Sequence, residues 1–451
     1  MRRLRASGPD PLRLLVGSFL ALIGAGTGLL KLPAATPADQ PISWIDALFT
    51  ATSATCVTGL VVRDTGAGFT PFGQAVILAL IQLGGLGIMT FGLFLFFLVR
   101  GKVSLAHRTI IERTLAGRAG AELFPLLALV FRFALACEAA GAILLWARFW
   151  PEMGAARGAW HALFHSVSAF CNAGFGLWPD SLVRYRADPV VNAVVIVLIV
   201  LGGLGFLVVY DLFEALRGRG RLSVHSKLAL AVSGLLVVLG TGVFWLLERH
   251  LALAGMPWDE RFWASLFQGI TPRTAGFNTV DIAGLSPATL FFIVLLMFVG
   301  GSPGSCAGGI KTTTLGVLAL ASWSRVRGRT HVNAFGRTLT AGTVGDTLSI
   351  ALSGALVVVA ALFALLVVEG PRHLAREDQG VFFGYLFETV SALGTVGLSM
   401  GVTPHLLEPS RVLVTLLMFL GRLGPLTVAT AVASSRPLDD WQYPEEDVMV
   451  G

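Results

Sequence analysis

Four short stretches of this chain resemble one another, and each ends in a glycine followed by a large apolar residue. Glycine lets the backbone turn its carbonyl oxygens inward, and rings of such carbonyls can replace the hydration shell of a potassium ion. A single chain that builds such a ring must carry all four loops itself. The stretches are Ser53-Ala-Thr-Cys-Val-Thr-Gly59-Leu60, Ser168-Ala-Phe-Cys-Asn-Ala-Gly174-Phe175, Ile270-Thr-Pro-Arg-Thr-Ala-Gly276-Phe277 and Ser391-Ala-Leu-Gly-Thr-Val-Gly397-Leu398.

The residues predicted to coordinate the ion are each loop glycine and the residue before it. Of the four loops, Thr395-Val-Gly397 is nearest to the Thr-Val-Gly triplet of potassium channels. The remaining loops depart from that triplet, which indicates a filter that is wider or less selective. The coordinating residues are Thr58, Gly59, Ala173, Gly174, Ala275, Gly276, Val396 and Gly397.

A second glycine landmark follows each loop at a nearly constant distance. The interval from the loop glycine to the first landmark glycine is 25, 28, 24 and 24 residues, by subtraction of their positions. Two landmarks that keep their phase four times predict a fourfold internal repeat. The landmarks are Leu83-Gly84-Gly-Leu-Gly, Leu201-Gly202-Gly-Leu-Gly, Val299-Gly300-Gly-Ser-Pro-Gly and Leu420-Gly421-Arg-Leu-Gly.

The composition requires a membrane environment. The chain has 451 residues, of which 55% are hydrophobic and 13% are charged, whereas soluble domains are about 25% charged. The net charge of +6 comes from basic residues clustered between apolar segments, which indicates cytoplasmic loops rather than nucleic-acid binding. The clusters are Arg2, Arg3, Arg5 and Arg13; Arg100, Lys102, Arg108, Arg113 and Arg118; Arg217, Arg219, Arg221 and Lys227; and Arg325, Arg327, Arg329 and Arg337.

Eight segments are long and apolar enough to cross a bilayer, which needs about 20 residues. Between the members of each pair lies a shorter segment, which we interpret as a re-entrant helix leading into its glycine loop. The predicted fold is an all-α membrane protein of four span, pore-helix, loop, span repeats around one axis. The spans are 12–32, 74–99, 124–147, 190–213, 228–249, 289–319, 347–368 and 411–434; the short helices are 44–55, 159–170, 261–270 and 382–392.

This arrangement predicts loops on the outer side and both termini in the cytoplasm. The first span is expected to remain in the protein rather than to be removed as a signal peptide. The predicted divisions of the chain are 1–106 for the first repeat, 107–218 for the second, 219–328 for the third with a broken second span, 329–436 for the fourth, and 437–451 for a tail.

The sixth span carries a concentration of glycine and proline that should interrupt its helix. Arg422 occupies the matching place in the eighth span, where an arginine is costly unless it faces water or a partner. We expect Arg422 to lie below the loops, with snorkelling to the cytoplasmic edge as the alternative. Lys311 could lie in this region or at a cavity edge. The residues assigned to the interruption and its surroundings are Gly300, Gly301, Pro303, Gly304, Ser305, Gly308, Gly309, Lys311 and Arg422.

Several polar residues near the loops are predicted to support them. Arg273 lies inside the third loop, and its side chain should point away from the axis, toward Asp281 or Glu388. Neither the eight histidines nor the four cysteines show metal-binding spacing, so no metal other than the transported ion is expected. The predicted supporting residues are Asn172, Arg273, Asn278, Asp281 and Glu388.

Nearly the whole chain resembles the superfamily of bacterial Trk and Ktr, fungal Trk and plant HKT potassium transporters. The likeness is greatest to the membrane subunit of the bacterial Ktr system, since eight spans without an additional pair favour Ktr over Trk. Cys306 and Leu423 are small departures from the expected pattern. The most specific pieces are Thr271-Pro-Arg-Thr-Ala-Gly276-Phe-Asn-Thr-Val-Asp281, Gly300-Gly-Ser-Pro-Gly-Ser-Cys-Ala-Gly-Gly-Ile-Lys-Thr-Thr-Thr314 and Gly421-Arg-Leu-Gly-Pro425.

The resemblance implies potassium uptake across a bacterial cell membrane, with the interrupted sixth span acting as an intramembrane gate. It also implies a homodimer resting on a cytosolic ring of nucleotide-binding RCK-type subunits, no cofactor in this chain, and sodium as an activator.

A coupled symporter and a membrane enzyme are the two alternatives to a pore. A symporter coupled to sodium or protons remains the alternative, although coupled carriers tend to contain intramembrane carboxylates and inverted repeats. A membrane enzyme would need convergent titratable groups, and the sequence offers none. We therefore expect no enzymatic activity.

Overall fold

Long and short helices alternate along the chain. The structure is a computed structural model that describes residues 11–100, 123–218, 220–370 and 379–424. The helices in this part of the chain are α1 (Pro11–Leu30), α2 (Trp44–Thr55), α3 (Pro71–Arg100), α4 (Leu123–Met153), α5 (Ala155–Phe170), α6 (Pro189–Leu204), α7 (Phe206–Leu216), α8 (Val224–Glu248), α9 (Trp258–Ile270), α10 (Pro287–Met297), α11 (Thr312–Val326), α12 (Ala341–Glu369), α13 (Gln379–Gly394) and α14 (Glu408–Leu423).

Small elements complete this architecture on the connections. A two-stranded antiparallel ribbon, β1 (Asn333–Ala334) and β2 (Arg337–Thr338), joins α11 to α12. Short 3-10 turns at Val183–Tyr185 and Thr403–His405 precede α6 and α14. The described part of the chain is therefore mostly helical, as the sequence predicted.

Side-chain caps and prolines start many of the helices. Ser43 accepts a hydrogen bond from the amide of Asp46 at the start of α2. Asp188 accepts two backbone amides at the start of α6, where Pro189 also occupies the first turn. Such caps satisfy amides that lack a partner within the helix. The starts of these helices are thus encoded locally, in polar residues that precede the apolar segment.

The four long helices α1, α4, α8 and α12 form the outside of the molecule. Their outward faces are apolar: Leu20, Ile143, Val238 and Leu356 are 54%, 63%, 70% and 70% exposed. In a soluble protein such surfaces would be a liability. They are instead the surfaces that lipid covers in a membrane protein.

The short helices α2, α5, α9 and α13 are buried inside this shell. Their last turns are almost inaccessible and rich in small and hydroxyl residues, as in Ala51 to Thr55 of α2. Helix α2 matches the predicted short segment, and the other three begin three or four residues earlier than predicted. The difference arises because polar first turns do not contribute to an apolar segment.

Four helices in the described residues are long and apolar enough to cross a membrane: Arg13–Leu30, Ala128–Met153, Val224–Glu248 and Ala341–Glu369. The bent pair α6 and α7 would make a fifth. The predicted count of eight spans and the domain divisions therefore stay predictions. Three of the division points, after 106, 218 and 436, border or fall in residues outside the described part of the chain.

One of the predicted spans is not a continuous helix. The segment 190–213 was predicted as a single helix, but α6 and α7 meet at Gly205 with a bend of 99°. Gly205 has a φ of +81°, which ends the right-handed helix. The interruption predicted in 289–319 corresponds to a non-helical segment, 298–311, between α10 and α11.

Candidate functional site

Each glycine loop leaves its short helix through two left-handed residues separated by one position. The second is the loop glycine, for which this conformation carries no steric cost. The first is Val57, Asn172, Thr274 or Thr395, and a β-branched residue at positive φ is strained. The φ pairs are +55° and +93° for Val57 and Gly59, +56° and +71° for Asn172 and Gly174, +64° and +77° for Thr274 and Gly276, and +49° and +89° for Thr395 and Gly397.

A buried hydroxyl at or just after the end of each short helix holds its loop. Ser53 donates to the carbonyl of Leu60 at 2.7 Å and accepts from the amide of Gly59 at 3.2 Å. Ser168 donates to the carbonyl of Phe175 at 2.7 Å. In the fourth loop the same position is Ser391, which accepts from the amide of Gly397. In the third loop the hydroxyl belongs to Thr271, one residue closer to the loop glycine, and it donates to the carbonyl of Phe277.

These hydroxyls were quoted in the sequence motif but were not assigned a role. Their recurrence six or seven residues before a loop carbonyl or amide is the signal that could have identified them. Each hydroxyl satisfies a carbonyl or an amide at the end of its own loop. The carbonyls of the residues before the loop glycines take no part in these bonds.

The four loops meet one another in order around a closed ring. A methyl group added to Gly59 would lie 2.5 Å from the carbonyl oxygen of Ala173. One added to Gly174 would lie 3.0 Å from the carbonyl oxygen of Ala275, and one added to Gly276 would lie 2.7 Å from that of Val396. A methyl group on Gly397 would collide with the carbonyl oxygen of Thr58, which closes the ring.

This ring brings together all eight residues that the sequence assigned to ion coordination. Thr58, Ala173, Ala275 and Val396 are each fully buried. Side chains larger than hydrogen at the glycines would push the loops apart, so the spacing of the carbonyls depends on four glycines at once. A ring of backbone carbonyls is a set of ligands that can coordinate a dehydrated monovalent cation.

The landmark glycines let the second helix of a repeat approach the end of its short helix. A side chain at Gly84, Gly202 or Gly421 would collide with a backbone carbonyl at the end of the short helix, at Thr55, Phe170 or Leu393 respectively. The third repeat differs, because Gly300 contacts the carbonyl of Gly308 within the segment 298–311. In the other three repeats, the nearly constant interval between loop glycine and landmark glycine therefore reflects direct contact between the second helix and the short helix.

The segment 298–311 lies against the break between α6 and α7. The amides of Ser302 and Cys306 donate to the carbonyls of Gly203 and Gly202 at 2.9 and 3.1 Å, and Phe206 donates to Gly304 at 3.1 Å. A side chain at Gly205 would collide with the carbonyl of Pro303. Backbone groups freed by the two interruptions thus satisfy each other, which irregular backbone inside a membrane requires.

Arg422 ties this segment to helix α3. Its side chain is 4% exposed. The guanidinium donates to the carbonyl of Cys306 and to those of Gly84 and Gly85, the last two at 2.7 and 3.5 Å. A snorkelling arginine would reach away from the protein, so the structure excludes the alternative interpretation.

Lys311 is the residue before α11 and folds back over the same segment. Its ammonium donates to the carbonyls of Ala307 and Gly308 at 2.8 and 3.4 Å. On the other side, a methyl group added to Gly308 would collide with the hydroxyl of Thr395 in the fourth loop. The residues Gly300, Gly301, Pro303, Gly304, Ser305, Gly308, Gly309, Lys311 and Arg422 thus form one contiguous body next to the loops.

The expected partners of Arg273 were wrong. Arg273 is buried and points away from the loop, and it donates to the hydroxyl of Ser233 in α8 at 2.9 Å. Glu388 instead accepts from the hydroxyls of Ser399 and Thr403, and Asp281 accepts from the amide of Ala283. A neutral hydroxyl in the adjacent outer helix therefore orients this cation.

The two asparagines predicted to support the loops make local and cross-repeat contacts. The side-chain amide of Asn172, oriented with its nitrogen toward them, lies 3.1 Å from the carbonyls of Ala169 and Ile199. Asn278 donates to the carbonyl of Val280 at 2.9 Å, and its own carbonyl accepts from Leu182 at 3.0 Å.

A polar group behind the second loop was not anticipated. Glu138, 4% exposed, accepts from the side-chain amide of Gln82 at 2.9 Å, and the thiol of Cys171 lies 3.6 Å from Gln82. Within the described residues, no group of three or more histidine, cysteine or carboxylate side chains could hold a metal ion.

Comparison with known proteins assigns this architecture. Residues 12–442 match the family described as TrkH, cation transport protein. The chain belongs to that family. It is 39% identical to the Ktr system potassium uptake protein B of Bacillus subtilis over 98% of this chain and 96% of the relative. It is 38% identical to the protein of the same name from Vibrio alginolyticus, over 100% of this chain and 97% of the relative.

A further relative and a solved structure are similar to this chain in sequence and in fold, respectively. The potassium/sodium uptake protein NtpJ of Enterococcus hirae is 38% identical over 98% of this chain and 97% of its own length. The crystal structure of the potassium transporter TrkH from Vibrio parahaemolyticus aligns with a TM-score of 0.74 and 20% identity, covering 96% of this chain and 86% of that one. The resemblance inferred from the sequence is thereby confirmed, and the chain is a multi-pass membrane ion transporter rather than an enzyme.

Proposed function

We propose that this protein takes up potassium across the bacterial cell membrane through a pore whose filter is the ring of four glycine loops. The observation that carries the proposal is the closed order of contacts among Gly59, Gly174, Gly276 and Gly397, each against the carbonyl preceding the next glycine. Such a ring supplies oxygen ligands from four sides at one level, as potassium coordination requires.

The printed names of the relatives support the same ion. Two of them are called potassium uptake proteins, and each aligns over nearly its whole length at 38 or 39% identity. Similarity over the entire chain, rather than over one motif, supports a common architecture for this protein and these relatives.

We assign gating to the segment 298–311 together with Arg422. Its position against the fourth loop and the α6–α7 break places glycine-rich backbone next to the predicted ion path. The positive charge of Arg422 adds an electrostatic barrier to cations. Because the guanidinium binds only carbonyl oxygens within the described residues, no carboxylate neutralises it there.

The remaining elements of the proposal follow from family membership. The protein acts as a homodimer, and a cytosolic ring of nucleotide-binding RCK-type subunits contacts its cytoplasmic side and controls the gate. Both termini face the cytoplasm. The Ktr names of two relatives describe components of a system, which supports a separate regulatory partner.

A symporter coupled to sodium or protons is the second candidate. The specific observation in its favour is the name of the Enterococcus hirae relative, a potassium/sodium uptake protein. In a symporter, potassium uptake would require the second ion on the same side and would move it stoichiometrically. In a pore, sodium would act only as a competitor or an activator.

The test is potassium flux into proteoliposomes that contain the purified chain, with sodium as competitor. Gly276→Ser should abolish discrimination between the ions, because the added side chain meets the carbonyl of Val396. Gly28→Ser is the matched control, since a side chain there would meet nothing within 4 Å. Discrimination that survives Gly276→Ser would contradict the filter.

The same assay separates the gate from the filter and the pore from the symporter. Arg422→Gln should raise basal flux by about tenfold, the equivalent of about 1.4 kcal/mol removed from the barrier, with discrimination kept. Unchanged flux in that variant would argue against Arg422 as part of the gate. Strict dependence on a sodium or proton gradient would favour the symporter.

A further inference from the structure

Neighbouring repeats are fastened to one another at the outer rim, at equivalent positions. Gln74 is the fourth residue of α3, and its side-chain oxygen accepts from the indole of Trp160 in α5 at 2.8 Å. Arg411 is the fourth residue of α14, and its guanidinium lies 2.6 Å from the carboxylate of Asp46 in α2. In both cases a second helix of one repeat holds the short helix of the next.

The second and third repeats are joined in a related way. Arg186 precedes α6 and forms an ion pair with Glu260. Glu260 is the third residue of α9, as Asp46 is the third residue of α2. At the remaining junction, the fourth residue of α10 is Leu290, which is buried in the same apolar cluster as Tyr385 of α13.

The junction between the fourth and the first repeat differs from the other three. Consecutive repeats follow one another along the chain, whereas Arg411 and Asp46 are separated by 365 positions. Only noncovalent contacts can therefore close the ring at this point. Gly397 and Thr58 are the loop residues that must meet there.

Arg411 is built to hold this junction. Besides its bond to Asp46, it donates from the second guanidinium nitrogen to the carbonyl of Pro404 at 2.9 Å. Pro404 follows the fourth loop, so one guanidinium connects that loop, α14 and the short helix of the first repeat. The side chains of Arg411 and Asp46 are 20% and 23% exposed, which limits screening by water.

We propose that Arg411 and Asp46 are a positioning pair that closes the ring of loops between the fourth and first repeats and thereby sets its discrimination between potassium and sodium. The proposal rests on the filter proposed above. Neither side chain contacts the ion. They act by fixing the distance between the fourth and first loops, on which the size of the coordination ring depends.

The experiment compares rubidium and sodium flux in proteoliposomes for Arg411→Gln, Asp46→Asn and Asp46→Glu. The first two variants should lower the rubidium-to-sodium ratio by about fivefold, the upper range for a partly exposed ion pair. Asp46→Glu keeps the charge and should retain most of the ratio. Arg184→Gln is the control, because Arg184 pairs with Asp180 within a single repeat at 3.0 Å.

A ratio unchanged in Arg411→Gln, or lowered equally in Arg184→Gln, would overturn the role of the pair. A wild-type protein without any discrimination would instead refute the filter itself. Spin labels at Trp44→Cys and Glu408→Cys, which lie next to Asp46 and Arg411, then report whether the first and fourth repeats stay at a fixed distance. A distance distribution that broadens in Arg411→Gln supports the closure of this junction, and one that stays unchanged contradicts it.

Discussion

The loops of this transporter depend on residues held in conformations that they would not adopt alone. Val57, Thr274 and Thr395 are β-branched residues at positive φ, a combination that costs of the order of 1–3 kcal/mol. The surrounding contacts must supply that energy. In the first loop, the hydroxyl of Ser53 makes two of these contacts, with the carbonyl of Leu60 and the amide of Gly59.

Ser53→Ala should therefore lower both stability and ion discrimination. The substitution leaves a buried carbonyl and a buried amide without this partner, which costs about 1–3 kcal/mol. The thermal unfolding midpoint in detergent and the rubidium-to-sodium flux ratio measure the two effects. Ser349→Ala is the control, because Ser349 bonds only the carbonyl of Gly345 on an exposed part of α12. Equal behaviour of the two variants would contradict the role of Ser53.

The loop glycines could be predicted from the sequence because each is required by the local backbone conformation of its loop, and this requirement occurs four times. The partner of Arg273 could not. Its side chain reaches Ser233 in α8, 40 positions earlier in the chain, and no spacing rule connects a loop to a face of a distant helix. An ion pair with Asp281 or Glu388 was the natural expectation from charge alone, but hydroxyls near Glu388 already occupy that carboxylate.

At the scale of elements, the two interrupted helices are a single feature. The segment 298–311 and the break at Gly205 exchange backbone hydrogen bonds, so neither interruption would be satisfied without the other. The sequences Gly84-Gly-Leu-Gly and Gly202-Gly-Leu-Gly are identical, yet α3 continues through the first and α6 ends within the second. Local sequence could not predict this difference, because the contact with Pro303 decides it.

Gly205→Ala should disturb the segment 298–311 more than the strain of a positive φ at position 205 alone would. The added methyl group meets the carbonyl of Pro303, and its φ of +81° adds strain of about 1–2 kcal/mol. Gly218→Ala is the matched control, since Gly218 has a φ of +69° but nothing within 4 Å of an added methyl group.

The measurement is basal potassium flux together with proteolytic susceptibility of the segment. Gly205→Ala should raise both relative to Gly218→Ala. Identical values for the two variants would mean that only backbone strain is felt and that the contact with Pro303 does not hold the segment.

At the scale of the whole molecule, equivalent ties in the third and fourth repeats fix the outer helix to the helix that follows its loop. Glu248, the last residue of α8, accepts from the amide and hydroxyl of Ser286 at the start of α10. Glu369, the last residue of α12, accepts from the amide of Leu407 before α14 at 2.8 Å. Both pairs are 38 positions apart, which is consistent with equivalent repeats whose loops are anchored on one side of the membrane.

The predicted orientation places these ties outside and the basic clusters inside. Asp39→Cys, after α1, should react with a membrane-impermeant maleimide in right-side-out vesicles, and Arg329→Cys, after α11, only in inside-out vesicles. Three of the four native thiols, Cys56, Cys171 and Cys306, are buried and give little background, and the half-buried Cys137 is replaced by alanine in both variants. Labelling of both positions from the same side would contradict the eight-span arrangement.

Because the four loops belong to one polypeptide, the ring has no enforced symmetry, and its four walls differ in chemistry. In a tetrameric channel, one codon change alters all four walls at once, so rings with a single changed wall do not arise. Here, replacing Thr58 or Val396 alters one quarter of the ring while Ala173 and Ala275 stay as they are. In the filter proposed above, ion preference can therefore be adjusted in small heritable steps, because each mutation changes one wall and leaves the other three as they are.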